Sequence, residues 1–179
     1  AAAVHRSGNG PEMTSSKIII ALGIVVAAVL LETTVFQQIQ PFGYAPALGL
    51  LTVISVARYL DPEPALFVAF SGGFLEDLLG GSPLGLWAST FTIVAFITLK
   101  VRNREIAGPL AVLAGVFGLS VVGQFTYAVL GTLFGQGIIT RPGFVWDLLI
   151  PALYNVILAY PVFWLTRAAI RPKERTWVT

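Results

Sequence analysis

The chain has 179 residues, of which 56% are hydrophobic and only 11% are charged, and its mean hydropathy is +0.82. Soluble domains have about 25% charged residues, so this composition excludes an ordinary water-facing surface and predicts a membrane protein. The net charge of +2 is too small to indicate a nucleic-acid partner, and the absence of cysteine excludes disulfides, thiolate catalysis and cysteine-bound metals.

The first twelve residues are polar and glycine-containing, include the only histidine, His5, and precede the only methionine, Met13. We interpret residues 1–12 as a remnant of cloning and Met13 as the native start. The apolar run that follows is longer than the core of a signal peptide and has no small-residue cleavage site. We therefore expect it to be a membrane span.

Six apolar segments follow one another along the chain. They lie near residues 17–39, 46–60, 64–79, 84–101, 107–134 and 146–167. Proline, glycine and polar residues separate them, and these residues end helices in short turns. The sequence therefore predicts an all-α, polytopic membrane protein of about six transmembrane helices. Residues 13–171 are expected to form one membrane domain, followed by a cytoplasmic tail over residues 172–179.

Basic residues are concentrated at the ends of alternate segments. If the N-terminus is cytoplasmic, the same side holds Lys17, Arg58, Lys100, Arg102, Arg104, Arg167, Arg171, Lys173 and Arg175. On the opposite side only Arg141 remains, since Arg6 belongs to the presumed remnant. Because cations are retained in the cytoplasm, this distribution predicts a multi-pass protein of the cytoplasmic membrane with both termini inside.

The connection between the third and fourth segments has a distinctive sequence. Its notable residues are Asp77, Gly80, Gly81, Ser82, Pro83 and Gly85. Serine followed by proline is typical of an N-cap and a first helical position, so we expect the fourth helix to begin at Ser82-Pro83. The glycines permit a tight turn, and Asp77 is expected to accept N–H bonds from it.

Three polar residues inside the apolar segments are candidate functional groups: Glu32, Glu76 and Asn155. Ionisable groups in hydrocarbon are costly, so Glu32 and Glu76 could form a proton relay or a cation site. The alternative, which we favour, is that Glu32 faces the bundle and Glu76 lies near the headgroups, because neither is at the mid-membrane level of transport sites. No catalytic constellation and no cofactor site is expected.

Small residues at helical spacing in the first segment are a candidate surface for a partner. Gly23 and Ala27 lie one turn apart, and such pairs let two membrane helices approach closely. The same spacing is also compatible with packing inside the bundle.

Several motifs together resemble the family of rod shape-determining proteins called MreD. The most distinctive are GFLEDLL (73–79) and GGSPLGL (80–86), supported by QPFG (40–43), Arg58 and PALYN (151–155). The resemblance implies a non-enzymatic component of the cell-elongation machinery that builds side-wall peptidoglycan in rod-shaped bacteria. It also implies a fold similar to the substrate-binding subunits of energy-coupling-factor transporters.

The resemblance implies partners as well. They are the single-pass protein MreC and, through it, the MreB filament, RodA and a class B penicillin-binding transpeptidase. The leading hypothesis is therefore a scaffold in the lipid bilayer that docks the MreC transmembrane helix and maintains rod shape. The alternatives are a vitamin-binding transporter subunit, which requires an outward-opening cavity although the outer loops are short, and a proton-coupled carrier that uses Glu32 and Glu76.

Overall fold

The computed structural model describes residues 11–40, 43–102 and 108–170, and within them it contains six helical rods and no strand. The rod α1 comprises Pro11–Leu31, one π-helical turn over Glu32–Phe36, and Gln37–Ile39. The others are α2 (Leu48–Ala57), α3 (Pro62–Gly80), α4 (Leu86–Val101), α5 (Pro109–Leu133) and α6 (Phe144–Ile170). The prediction of an all-α polytopic membrane protein is confirmed.

The helix boundaries follow the turn residues of the sequence. Prolines occupy the first turn of α3 and α5, where a missing N–H costs no hydrogen bond. The helix α3 ends at Gly80, and the next residue, Gly81, has a left-handed φ of 68° that suits glycine. By length and composition, α1, α5 and α6 are each able to cross a membrane.

The short helix α2 lies at the centre of the bundle. All ten of its residues are buried, and it contacts α1, α3, α4, α5 and α6. These five helices surround it in the order α1, α3, α4, α5, α6. The last of them, α6, also contacts α1, so the five helices form a closed ring. The α1–α6 junction is the least extensive in this ring. At about 15 Å, α2 is shorter than the second segment predicted from the sequence.

Glycines allow the closest helix approaches inside the ring. A Cβ atom built at Gly73 would lie 2.4 Å from the Trp87 carbonyl oxygen, so α3 and α4 meet backbone to backbone. A Cβ atom at Gly72 would lie 2.3 Å from Val25 of α1. Close contact between backbones replaces the hydrophobic effect as the source of association in lipid.

Several of the predicted cytoplasmic cations contact protein groups. The Arg102 guanidinium donates to the carbonyl oxygens of Ala57, at 3.0 Å, and Leu60, and so satisfies the C-terminal end of α2. Arg58 lies 5.6 Å from the Phe163 ring centroid, and Lys100 lies 5.0 Å from that of Phe96. These cations therefore stabilise one end of the bundle in addition to any effect on orientation.

Candidate functional site

The π-helical turn in α1 places Glu32 in the interior. The extra residue of a π turn shifts the helix register, and Glu32, the first residue of this turn, is buried. Its Oε2 accepts a hydrogen bond of 2.8 Å from the backbone N–H of Gly49 at the start of α2. The Glu76 carboxyl group of α3 lies beside the same glycine, since a Cβ atom built at Gly49 would lie 2.7 Å from Glu76 Oε2. The two carboxyl groups and the start of α2 therefore meet at Gly49.

Glu76 is buried beside Glu32, at the start of the central helix. The Glu76 Oε2 atom is buried and has no hydrogen-bond partner in the described part of the chain. Among the described residues, no group of three or more His, Cys, Asp or Glu side chains is arranged to hold a metal ion.

The neighbouring Asp77 has a different environment. Its Oδ1 accepts hydrogen bonds from Ser82 Oγ (2.7 Å) and Trp87 N (2.9 Å). Its Oδ2 accepts from the N–H groups of Gly85 (2.8 Å) and Ala88 (3.3 Å). Asp77 thus accepts hydrogen bonds from backbone N–H groups at the start of α4. The first N–H groups of a helix have no acceptor within the helix, and the helix dipole favours a negative charge there.

The expected start of the fourth helix at Ser82-Pro83 is wrong. The helix α4 begins at Leu86 with Gly85 as its N-cap, and Gly85 has a left-handed φ of 99°. Ser82 lies three residues before this N-cap, and its hydroxyl donates to Asp77 Oδ1. Asp77, from the preceding helix, supplies the capping oxygens in its place.

Asn155 joins α5 and α6. Its Nδ2 donates to Ser120 Oγ at 3.0 Å, and both side chains are fully buried. The Asn155 Oδ1 atom has no partner in the described residues. The bond is an interhelical polar contact within the apolar interior, typical of packed membrane helices.

Gly23 and Ala27 lie on the outer surface of α1 and line a groove between α1 and α6. Both residues are exposed, and a Cβ atom built at Gly23 would have no heavy atom within 4 Å. The groove has a volume of about 340 Å³ and reaches Leu48 and Thr52 of the central helix α2. These small residues are therefore not packed against the described part of the bundle.

Sequence reasoning did not select Gly49, although this glycine is central to the site. A Cβ atom at Gly49 would lie 2.7 Å from Glu76 Oε2 and 2.9 Å from the Phe91 ring. Its position in a segment without charged residues gives no local signal of a polar contact. The Gly72-Gly73 pair, four residues before Glu76-Asp77, is a signal of close packing that the sequence does contain.

Comparison with protein families gives one decisive result. The family model described as rod shape-determining protein MreD matches residues 14–169, which is most of the chain. The chain belongs to the MreD family. Comparisons with curated proteins and with solved structures gave no match.

As an MreD protein, the chain has a role in determining rod shape, and its apolar helices place it in a membrane. The likeness to energy-coupling-factor subunits stays a prediction. The presumed remnant and the predicted tail fall largely outside the described residues, as residues 1–10 and 171–179 do.

Proposed function

We propose that this MreD protein is a non-enzymatic scaffold that docks the transmembrane helix of an MreC-like single-pass protein in the groove between α1 and α6. Through that partner it would position RodA and a class B penicillin-binding transpeptidase for side-wall peptidoglycan synthesis. The membrane would be the bacterial cytoplasmic membrane, with both termini inside. The single observation that supports docking most directly is the open surface at Gly23 and Ala27.

The two faces of α1 differ in what they contact. Ala21, Val25 and Val29 are fully buried and belong to the main core, which fixes the helix to α2 and α3. Gly23 and Ala27 lie on the opposite face, where a glycine has no packing role within the described bundle. A small-xxx-small pair without an internal neighbour supports an external helix as the neighbour.

The shape and chemistry of the groove suit a helix. Ile20, Ile24 and Leu31 of α1 form one wall, and Val162 and Leu165 of α6 form the other. Lipid chains are as apolar as these walls, so a partner gains affinity through close packing at Gly23 and Ala27. The weak α1–α6 junction leaves the necessary opening in the ring.

The test compares the wild-type protein with its Gly23→Leu and Ala27→Leu variants. Each is purified after co-expression with the MreC-like protein of the same genome, and the amount of co-purified partner is measured. Each leucine fills the open groove, so we expect normal protein levels with loss of the partner. Gly118→Leu is the matched control, because Gly118 is an exposed helical glycine on α5 with no neighbour within 4 Å. Normal partner recovery with both groove variants would contradict docking there.

A second control variant disrupts packing between helices inside the bundle. Gly73→Leu inserts a side chain where a Cβ atom alone would lie 2.4 Å from the Trp87 carbonyl oxygen. This variant should lower protein level and partner recovery together. In cells depleted of the native protein, Gly118→Leu should restore rod shape and Gly23→Leu should not.

A vitamin-binding subunit is the second candidate, and one specific observation favours it. A cavity of about 480 Å³ opens at the end of the bundle predicted to be outside, beneath the loop between α5 and α6. This volume falls within the range of small-molecule sites. Saturable binding of a vitamin to the purified protein, unaffected by Gly23→Leu, would favour this candidate over docking.

A further inference from the structure

The cavity at the predicted outer end has a polar lining that docking in the α1–α6 groove does not use. Gln124 and Tyr127 line it from α5, Gln136 and Arg141 from the α5–α6 loop, and Asp147 from the first turn of α6. Its volume is about 480 Å³. One cation and one anion therefore line the same cavity, together with neutral hydrogen-bonding groups.

The loop that lines this cavity is held in place by its own contacts. Gln136 N donates to the Gly131 carbonyl oxygen at 2.9 Å, and Ile139 N donates to Thr132 Oγ1 at 3.2 Å. The loop lies directly on α5, since a Cβ atom at Gly131 would be 2.4 Å from Ile138 Cδ1. Arg141 lines the cavity from this loop, and its guanidinium also donates to the Gln136 carbonyl oxygen at 3.3 Å.

The charges of the lining select the type of ligand. A simple anion would be attracted by Arg141 and repelled by Asp147. A simple cation would be attracted by Asp147 and repelled by Arg141. A zwitterion with a phosphate and an ammonium group satisfies both residues. Arginine is suited to phosphate because its planar guanidinium donates two parallel hydrogen bonds.

Exposed apolar side chains beside the cavity favour a zwitterion that belongs to a lipid. Beside the cavity, Leu133 and Phe134 at the end of α5 and Val145 and Trp146 at the start of α6 are exposed. Exposed apolar groups with a tryptophan are typical of the boundary between hydrocarbon and headgroups. We propose that the cavity binds the phosphoethanolamine headgroup of a phospholipid, with the phosphate at Arg141 and the ammonium at Asp147.

The experiment measures lipid retention by native mass spectrometry, using delipidated protein mixed with phosphatidylethanolamine and phosphatidylglycerol. The wild-type protein should retain phosphatidylethanolamine preferentially. Arg141→Gln should weaken retention of both lipids by about tenfold or more, because a charge-assisted hydrogen bond is lost. Asp147→Asn should remove the preference and leave phosphatidylglycerol bound at least as well.

Lys100→Gln, at the opposite end of the bundle, is the control and should change nothing at this site. Equal retention of the two lipids by the wild-type protein, or an unchanged preference in the Arg141→Gln/Asp147→Asn double variant, would overturn the proposal. Free phosphoethanolamine distinguishes the source of the headgroup. Displacement of the lipid at equal concentration would assign the cavity to a soluble solute and would overturn the lipid assignment.

Discussion

The backbone N–H of Gly49 donates to Oε2 of Glu32 at 2.8 Å, which connects the π-helical turn of α1 to the first turn of the central helix. The same glycine leaves space for Glu76, whose Oε2 would lie 2.7 Å from a Cβ atom at Gly49. Two carboxyl groups are thus accommodated in an apolar bundle by a backbone donor and a missing side chain. This arrangement has consequences for stability that can be measured.

Gly49→Ala should destabilise the protein. The added methyl group would meet Glu76 Oε2 and, at 2.9 Å, the Phe91 ring, and overpacking of this kind costs about 1–3 kcal/mol. Thermal denaturation in detergent should show a lower midpoint. Gly118→Ala adds the same methyl group at an open position and should leave the midpoint unchanged or slightly raised. Equal denaturation midpoints for the two variants would show that the space at Gly49 accommodates a methyl group, and would contradict this prediction.

Asp77→Leu should destabilise the connection between α3 and α4. It would leave the Ser82 hydroxyl and the N–H groups of Gly85, Trp87 and Ala88 without their acceptor. The Ala88 bond is buried and the other three are half-buried, so the cost is about 1–3 kcal/mol for Ala88 and less for each of the others. Asp77→Asn should be intermediate, because both carboxylate oxygens accept bonds and an amide retains one of them. The control is Asp61→Asn, at an exposed N-cap without a side-chain hydrogen bond. An Asn variant as unstable as the Leu variant would contradict this account.

The Ser120–Asn155 bond should show an asymmetric response to mutation. Ser120→Ala leaves a buried amide without its partner, whereas the double variant Ser120→Ala/Asn155→Leu removes both polar groups. The single variant should therefore be less stable than the double variant, although the coupling in a membrane interior averages only about 0.6 kcal/mol. A double-mutant cycle of unfolding in mixed micelles measures the difference. Additive effects would indicate that the bond contributes nothing.

The sequence predicted the number and approximate limits of the helices because prolines and glycines mark their ends. It did not predict that α2 is central, since uniformly apolar helices do not show which face is buried. It placed the start of α4 at Ser82 because an N-cap was inferred from local residues alone. The competing acceptor, Asp77, lies on the preceding helix, and its contact with Ser82 depends on the turn geometry.

The candidate site was predicted in its parts but not in its arrangement. Glu32 and Glu76 are separated by 44 positions in the numbering, and both carboxyl groups reach Gly49 because of the π turn in α1 and the missing side chain of this glycine. Neither the register shift nor the role of this glycine follows from local propensity. Gly23 and Ala27 were identified by spacing, but only the packing of α1 shows that their face is open.

The basic residues of the two ends of the bundle predict its orientation in the membrane. Arg58, Lys100 and Arg102 lie at one end of the bundle, since Arg102 contacts the carbonyl groups that end α2, while Arg141 lies in the α5–α6 loop at the other. Cations are retained in the cytoplasm, so a fluorescent protein fused after Thr179 should fluoresce there. Alkaline phosphatase, which is active only outside the cytoplasm, should be active when inserted at Gly137 and inactive after Thr179. Activity at Thr179 together with inactivity at Gly137 would reverse the orientation and would place the cavity lined by Arg141 and Asp147 in the inner leaflet.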